Sequence, residues 1–266
     1  MDLSGMVALV TGGAGGIGKG CVEQLLKYAI KGVTIADIND SLGEVTTKEF
    51  NEKYGSGKVL FVKTDVSNKE SFENAFQKTV EHYDNIDILI NNAGLMNEIN
   101  WELSVQVNLM GTITGLLLAV EKYFPQHKSG EKAYIVNLSS IAGLVPSEFC
   151  PVYSATKHGV IGLTRSYGLN RHLKRNGIVV AALCPSGTDS SMADYMGSIV
   201  KYKDIYEEAF AQFSKHSQTV DAVGRAAIEA MIDSDSGSAW FIENGKVYKV
   251  NFPLLEQIIG RTECNK

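Results

Sequence analysis

Thr11-Gly-Gly-Ala-Gly-Gly-Ile-Gly18, directly behind the apolar run Met6-Val-Ala-Leu-Val10, decides the fold. A short apolar run that breaks into glycines and resumes as a helix-like stretch from Lys19 to Tyr28 reads as strand, tight turn and helix. Glycines at that junction allow a sharp turn, close approach of backbone to a pyrophosphate, and close packing of the helix. The helix N-terminus adds free amides and a dipole that favours an anion. Two registers fit: Gly13, Gly15 and Gly18 match G-x-G-x-x-G, while Gly12, Gly16 and Gly18 match T-G-x-x-x-G-x-G.

The second apolar run ends at Asp37, nineteen residues after Gly18. A carboxylate there can take the hydroxyls of an adenosine ribose. It would repel a 2′-phosphate, and neither Gly15 nor Ile38 offers a positive charge to accept one, so NAD is favoured over NADP. The competing reading is that Asp37 caps the next helix, although Asn39 or Asp40 could do so instead. Two further segments reach the same sheet edge, Thr64-Asp65-Val66 and Asn91-Asn-Ala-Gly94. Asp65 could bind the adenine amino group or cap a helix beginning near Ser67. Asn92 and Gly94 could line the cofactor or make a turn.

Runs at Val7 to Thr11, Val33 to Asp37, Val59 to Val62, Ile86 to Asn91, Ala133 to Ser139, Ile178 to Cys184 and Ala239 to Glu243 alternate with helical patterns. They predict seven parallel strands in an α/β, doubly wound Rossmann-type domain, flanked by helices on both faces. Cover on both faces explains why the runs are continuously apolar. No linker or repeat divides the 266 residues, so one domain is expected. Residues 1–94 would serve mainly the cofactor, 95–185 catalysis and 186–217 a substrate lid.

With 44% hydrophobic residues the chain can bury a full core, and a net charge of −5 with scattered basic residues argues against nucleic acid as a partner. Cys21, Cys150, Cys184 and Cys264 have no C-x-x-C spacing and read as free thiols of a reducing compartment. The five histidines lack paired-ligand spacing, so no metal is expected. There is no basic leader, and stretches such as Gly115-Leu-Leu-Leu-Ala-Val120 are too short to span a bilayer. These features predict a cytoplasmic protein.

Tyr153, Lys157 and Ser140 carry the chemistry. A free tyrosine titrates near 10, too high for a base at neutral pH, and a nearby ammonium brings it down. Residues four apart share a helix face, and the segment after Pro151-Val152 reads as a helix, so phenol and ammonium can enter one site. Ser140 closes the run Tyr134-Ile-Val-Asn-Leu-Ser-Ser at the carboxyl edge of the sheet, where α/β folds bind ligands. The pair alone is weak, since Tyr54 and Lys58 repeat its spacing in an evident loop. Its conjunction with Ser140 and the glycine turn gives it weight.

Together, Thr11-Gly12-x-x-x-Gly16-x-Gly18, Asn91-Asn-Ala-Gly94, Asn108, Ser140, Tyr153-x-x-x-Lys157 and Cys184-Pro185 resemble the short-chain dehydrogenase/reductase family, in order, from Met6 to Pro185. The resemblance implies a tetrad of Asn108, Ser140, Tyr153 and Lys157, with Asn108 in a kinked helix holding a water that links Lys157 to solvent. It implies NAD contacts at Gly12, Gly16, Ile17, Gly18, Asp37, Ile38, Asp65, Val66, Asn92, Tyr153, Lys157 and Thr188, and assembly as a homodimer or homotetramer.

Within the family, Asn97-Glu-Ile-Asn-Trp-Glu102 and Pro151 to Gly159 resemble the NAD-dependent 15-hydroxyprostaglandin dehydrogenases, while Gly237 to Gly245 is similar to insect-type alcohol dehydrogenases. The prostaglandin enzymes carry a glutamine where this chain has Cys150, a poor hydrogen-bonding group, and the usual Pro-Gly is Pro185-Ser186. The reaction is expected to interconvert a lipophilic secondary alcohol and its ketone, with Ser140, Cys150 and Tyr153 facing the substrate. Met192, Tyr195, Met196, Ile199, Tyr206, Phe210 and Phe213 recur at helical spacing. They form an amphipathic lid or pack into the core. Leu95, Met96, Val145 and Phe149 add apolar character near the tyrosine.

Overall fold

The computed structural model describes residues 2–190, 192, 196–213, 217–233, 235–253 and 257. The first unit is β1 (Val7–Thr11), α1 (Gly16–Lys27) and β2 (Gly32–Asp37), followed by α2 (Asp40–Tyr54), β3 (Val59–Lys63), α3 (Lys69–Tyr83) and β4 (Ile88–Asn91). A helical run α4 (Trp101–His127) leads to β5 (Ala133–Leu138). The rest is α5 (Pro151–Tyr167), α6 (Asn170–Asn176), β6 (Ile178–Pro185), α7 (Lys203–Phe213), α8 (Val220–Asp233), β7 (Ala239–Glu243) and β8 (Lys246–Lys249).

The strands form one sheet in the order β3-β2-β1-β4-β5-β6-β7-β8. Neighbours from β3 to β7 pair in parallel, for example Val10 with Ile35 and Ile90, and Asn91 with Asn137. The chain therefore reverses its winding direction between β1 and β4, which opens a crevice above their carboxyl ends. One sheet face is sealed by α1, α2 and α8 through Leu25, Phe50 and Val223, the other by α3 and α4 through Phe72, Phe76, Leu116 and Phe124. These side chains are fully buried, which explains the near-continuous apolar character of the strands between them.

The sheet has eight strands rather than the expected seven. Lys246-Val-Tyr-Lys249 turns back at Asn244-Gly245, both with positive φ of 50° and 73°, and pairs antiparallel to β7. It is a short edge strand with lysine at both ends, too polar to stand out as an apolar run.

The short apolar stretches lie within one longer helix: α4 is long and apolar enough by length and composition to cross a membrane, a test that a buried core helix also passes. Unbroken apolar runs understate its length, because a helix tolerates polar residues between them. In this fold α4 lies on the sheet, with Leu116, Ala119 and Phe124 buried against it.

Candidate active site

The glycine turn settles between its two registers by backbone geometry. Gly12 and Gly16 lie in the left-handed region, with φ of 62° and 50°, which a side chain resists. A Cβ at Gly18 would collide with the Gly12 carbonyl. The T-G-x-x-x-G-x-G spacing is therefore the structural one, and Gly18 serves packing beneath the turn. Gly15 precedes α1 and supplies no side-chain cap, so the helix offers backbone amides and its dipole to an anion in the crevice. Those features fit a dinucleotide pyrophosphate.

Asp37 is held on both oxygens: Oδ2 accepts from the Ala14 amide at 3.0 Å and Oδ1 from the Asn39 amide at 3.0 Å. The cap of α2 is Asn39, whose side chain accepts from Leu42 N. The capping explanation for Asp37 therefore falls away. Asp65 makes a local turn, accepting from Ser67 N at 2.9 Å and Ser67 Oγ at 2.6 Å, while Asn68 caps α3. Asn92 buttresses the glycine turn, its Nδ2 donating to the carbonyls of Thr11 at 2.8 Å and Gly12 at 3.1 Å. Thr188 lies in the loop after β6, its hydroxyl donating to the Ser186 carbonyl.

Ser140 stands just beyond β5 in extended conformation, capping a single 3-10 turn, Ile141–Gly143; its Oγ accepts from Ala142 N at 3.2 Å. Tyr153 and Lys157 occupy successive turns of α5, which begins at Pro151, where a missing amide costs nothing. The Lys157 side chain is 4% exposed, and its Nζ donates to the Leu138 carbonyl at 2.8 Å. Burial pulls this ammonium down from 10.5 to about 8.

Asn108 is fully buried in a π-helical turn, Gln106–Gly111, a local widening of the helix of the kind often found at functional sites. Its carboxamide is used twice by one residue: Oδ1 accepts from Leu95 N and Nδ2 donates to Leu95 O, each at 2.8 Å. A Cβ at Gly94 would lie 3.2 Å from Asn108 Oδ1 and 3.4 Å from Lys157 Nζ, so this glycine sits between the two side chains.

These residues surround a cavity of about 1370 Å³. Gly12, Gly16, Ile17, Asp37, Ile38, Asp65, Val66, Asn92, Ser140, Cys150, Tyr153, Lys157 and Thr188 all line it; Gly18 and Asn108 stand behind its wall. Met96, Cys150 and Val200 form a buried apolar cluster against Phe149, Tyr153, Met192, Ile199 and Tyr206. Met192, Ile199 and Tyr206 of the expected lid thus pack near the tyrosine. Tyr195 and Cys264 lie outside the described residues, as do the side chains of Met196, Phe210 and Phe213. Cys150 is buried, with Sγ 3.0 Å from Ser147 Oγ, and burial pushes its thiol up to about 11.

Sequence reasoning missed Glu98. Its side chain is 2% exposed, and Oε1 accepts from Tyr153 N at 2.8 Å while Oε2 accepts from Val152 N at 3.2 Å. No local pattern announces this, because the carboxylate lies more than fifty residues before the helix it caps. The spacing Tyr54 to Lys58 proves unrelated: Tyr54 Oη donates to Glu23 and Lys58 Nζ to the Ile30 carbonyl.

Comparison with known proteins agrees with this geometry. The short chain dehydrogenase family profile matches residues 6–199, and the chain belongs to the short-chain dehydrogenase/reductase family of oxidoreductases. Mouse (Mus musculus) 15-hydroxyprostaglandin dehydrogenase [NAD(+)] is 40% identical over 210 residues, covering 77% of each chain. Alcohol dehydrogenase 1 of Ceratitis capitata is 30% identical over 253 residues, covering 94% of this chain and 96% of its own. A short-chain dehydrogenase/reductase from Burkholderia phymatum, solved in complex with NAD, superposes with a TM-score of 0.77 at 22% identity, over 91% of this chain and 89% of that one.

Proposed function

We propose that this protein is an NAD-dependent dehydrogenase that interconverts a neutral, lipophilic secondary alcohol and its ketone. The observation that carries the reading is that Ser140, Tyr153 and Lys157 share one cavity with the glycine turn and Asp37. The mouse relative bears NAD(+) in its name, and the Burkholderia structure holds NAD. The uncapped start of α1 and the fixed Asp37 carboxylate suit the pyrophosphate and adenosine ribose of that cofactor. When bound, NAD supplies the acceptor that takes hydride from the carbinol carbon.

The chain's own groups handle the proton. Ser140 Oγ holds the reacting oxygen, and Tyr153 as phenolate accepts the hydroxyl proton. Lys157, charged below about pH 8, favours the phenolate and lies where the nicotinamide ribose would bind. Residues 1–94 serve mainly the cofactor and 95–185 the chemistry, with 186–217 covering the substrate. Assembly into a homodimer or homotetramer is the family expectation, which sedimentation would test.

The substrate class follows from the far end of the cavity. Met96, Val145, Phe149, Met192 and Ile205 line it together with Glu148 and Glu208, and Lys157 is the only cation among the described lining residues. Apart from Lys157, no cation among the described lining residues would pair with a substrate carboxylate, and two acidic groups oppose one. The test is NADH absorbance of the purified protein with NAD or NADP against hydroxysteroids, isoprenoid alcohols, short secondary alcohols and prostaglandins. Turnover of a neutral lipophilic alcohol with NAD supports the proposal; preference for a carboxylate-bearing alcohol, or no turnover at all, overturns it.

A further inference from the structure

Among the described residues, Glu98 is the one buried carboxylate beside the catalytic helix that the proposed chemistry leaves unused, and three contacts define its place. Its two side-chain oxygens accept from the first available amides of α5, those of Val152 and Tyr153. Its own amide donates to the Ile199 carbonyl at 2.9 Å, in the stretch that packs against Met96 and Cys150. The loop carrying it is fixed at both ends. Asn108 holds Leu95 by two hydrogen bonds, while Asn97 and Ser104 bond each other, Asn97 N to Ser104 Oγ at 3.0 Å and Ser104 Oγ to Asn97 O at 2.9 Å. Asn97 Oδ1 also accepts from the amides of Ile99 and Asn100.

We infer that Glu98 is a positioning residue: it fixes the backbone of Tyr153 and ties that backbone to the segment over the substrate. The cap residue of α5, Cys150, makes no side-chain hydrogen bond to the helix, so the orphan amides at its start depend on a group from elsewhere. A carboxylate offers a separate acceptor oxygen to each of the two amides, and the helix N-terminus favours its charge. Because the same residue grips Ile199 through its main chain, the apolar cluster of Met96, Cys150 and Val200 is assembled on the element that sets the phenol. Displacement of a reacting group by about 1 Å costs on the order of a hundredfold in rate, so the grip matters. Glu98 touches neither the reacting atoms nor the glycine turn. Its loss should therefore appear in the chemical step and not in cofactor binding.

The inference rests on the dehydrogenase reading above, and its test separates the two. Glu98→Ala is expected to lower kcat about tenfold or more while the Kd for NADH, read by fluorescence, stays within about twofold of wild type. Glu98→Gln, which keeps one acceptor but turns an amide donor toward the second N–H, is expected to fall between Ala and wild type. That partial rescue also covers failure of the alanine variant to fold. A purely structural role would weaken NADH binding and kcat together, and would overturn the inference. So would wild-type kcat in Glu98→Ala, or full activity of Glu98→Gln. Absence of turnover by the wild type on every alcohol tested would overturn the dehydrogenase reading and this inference with it, whereas an active wild type with an equally active Glu98→Ala would overturn this inference alone.

Discussion

Lys157 Nζ lies over the face of the Tyr153 ring, 5.5 Å from its centroid, and spends a hydrogen bond on the Leu138 carbonyl. A lysine so placed would act on the phenol through its field, across the ring, and its own position is fixed by β5. Such a field is strong where water is excluded, and burial is also what makes the charge costly to keep.

That cost predicts a pH-dependent stability. Lys157 titrates at about 8 in the folded protein against 10.5 for an ordinary lysine, so between these values the unfolded chain binds the extra proton. Stability from this group therefore rises with pH across that window; below about pH 8 the lysine is charged in both states and the full penalty applies. Compared with Lys157→Met, the wild type should gain roughly 2 kcal/mol between pH 7 and pH 9.5. Urea melts of both proteins at the two pH values measure it. A constant difference between the proteins would show that the lysine is not desolvated.

Tyr153→Phe should remove the proton acceptor and leave the cofactor site standing. The expected result is a fall in kcat of at least about a hundredfold, with NADH binding nearly unchanged, because Gly12, Gly16, Asp37 and Lys157 remain in place. Retention of more than about a tenth of the wild-type rate would place the base elsewhere.

Asp37 is expected to set which nucleotide fits. Its carboxylate is held by the Ala14 and Asn39 amides, so it cannot swing away from a 2′-phosphate, and Ile38 beside it is 64% exposed on the cavity rim. Asp37→Ala combined with Ile38→Arg removes the repulsion and adds a bidentate partner. The ratio of kcat/KM for NADP over NAD should rise by about tenfold or more, equivalent to at least about 1.4 kcal/mol. Equal efficiency of the wild type with both cofactors would contradict the assigned role of Asp37.

Much of this was legible in the sequence because the decisive signals are local. Glycines that must adopt positive φ, a carboxylate at a strand end and a Tyr-x-x-x-Lys pair are short-range patterns, and the parallel sheet writes itself as continuous apolar runs. The register of Thr11 to Gly18 was not legible: both spacings fit, and only the left-handed backbone of Gly12 and Gly16 distinguishes them. Strand β8 does carry a local signal, since Asn244-Gly245 between two runs is a strong hairpin mark. Glu98 carried none. Its partners are set by tertiary packing of a loop on a distant helix, and in sequence it reads as one more acid in a polar loop.

The last prediction concerns Cys150, where the likeness to the prostaglandin enzymes breaks. The thiol sits in the cavity wall, 2% exposed and 3.0 Å from Ser147 Oγ, and burial keeps it neutral at ordinary pH with a value of about 11. It therefore presents a small, weakly polar surface, whereas a glutamine amide would donate and accept beside the reacting hydroxyl. Wild-type protein should oxidise prostaglandins poorly relative to simple lipophilic alcohols. Cys150→Gln should raise the ratio of kcat/KM for a 15-hydroxyprostaglandin over a medium-chain secondary alcohol by roughly fivefold, the worth of one hydrogen bond of about 1 kcal/mol. Measuring that ratio in both proteins tests the side chain directly. An unchanged ratio would show that Cys150 does not face the substrate, and efficient prostaglandin oxidation by the wild type would show that neither the thiol nor the acidic lining of Glu148 and Glu208 excludes a carboxylate-bearing alcohol.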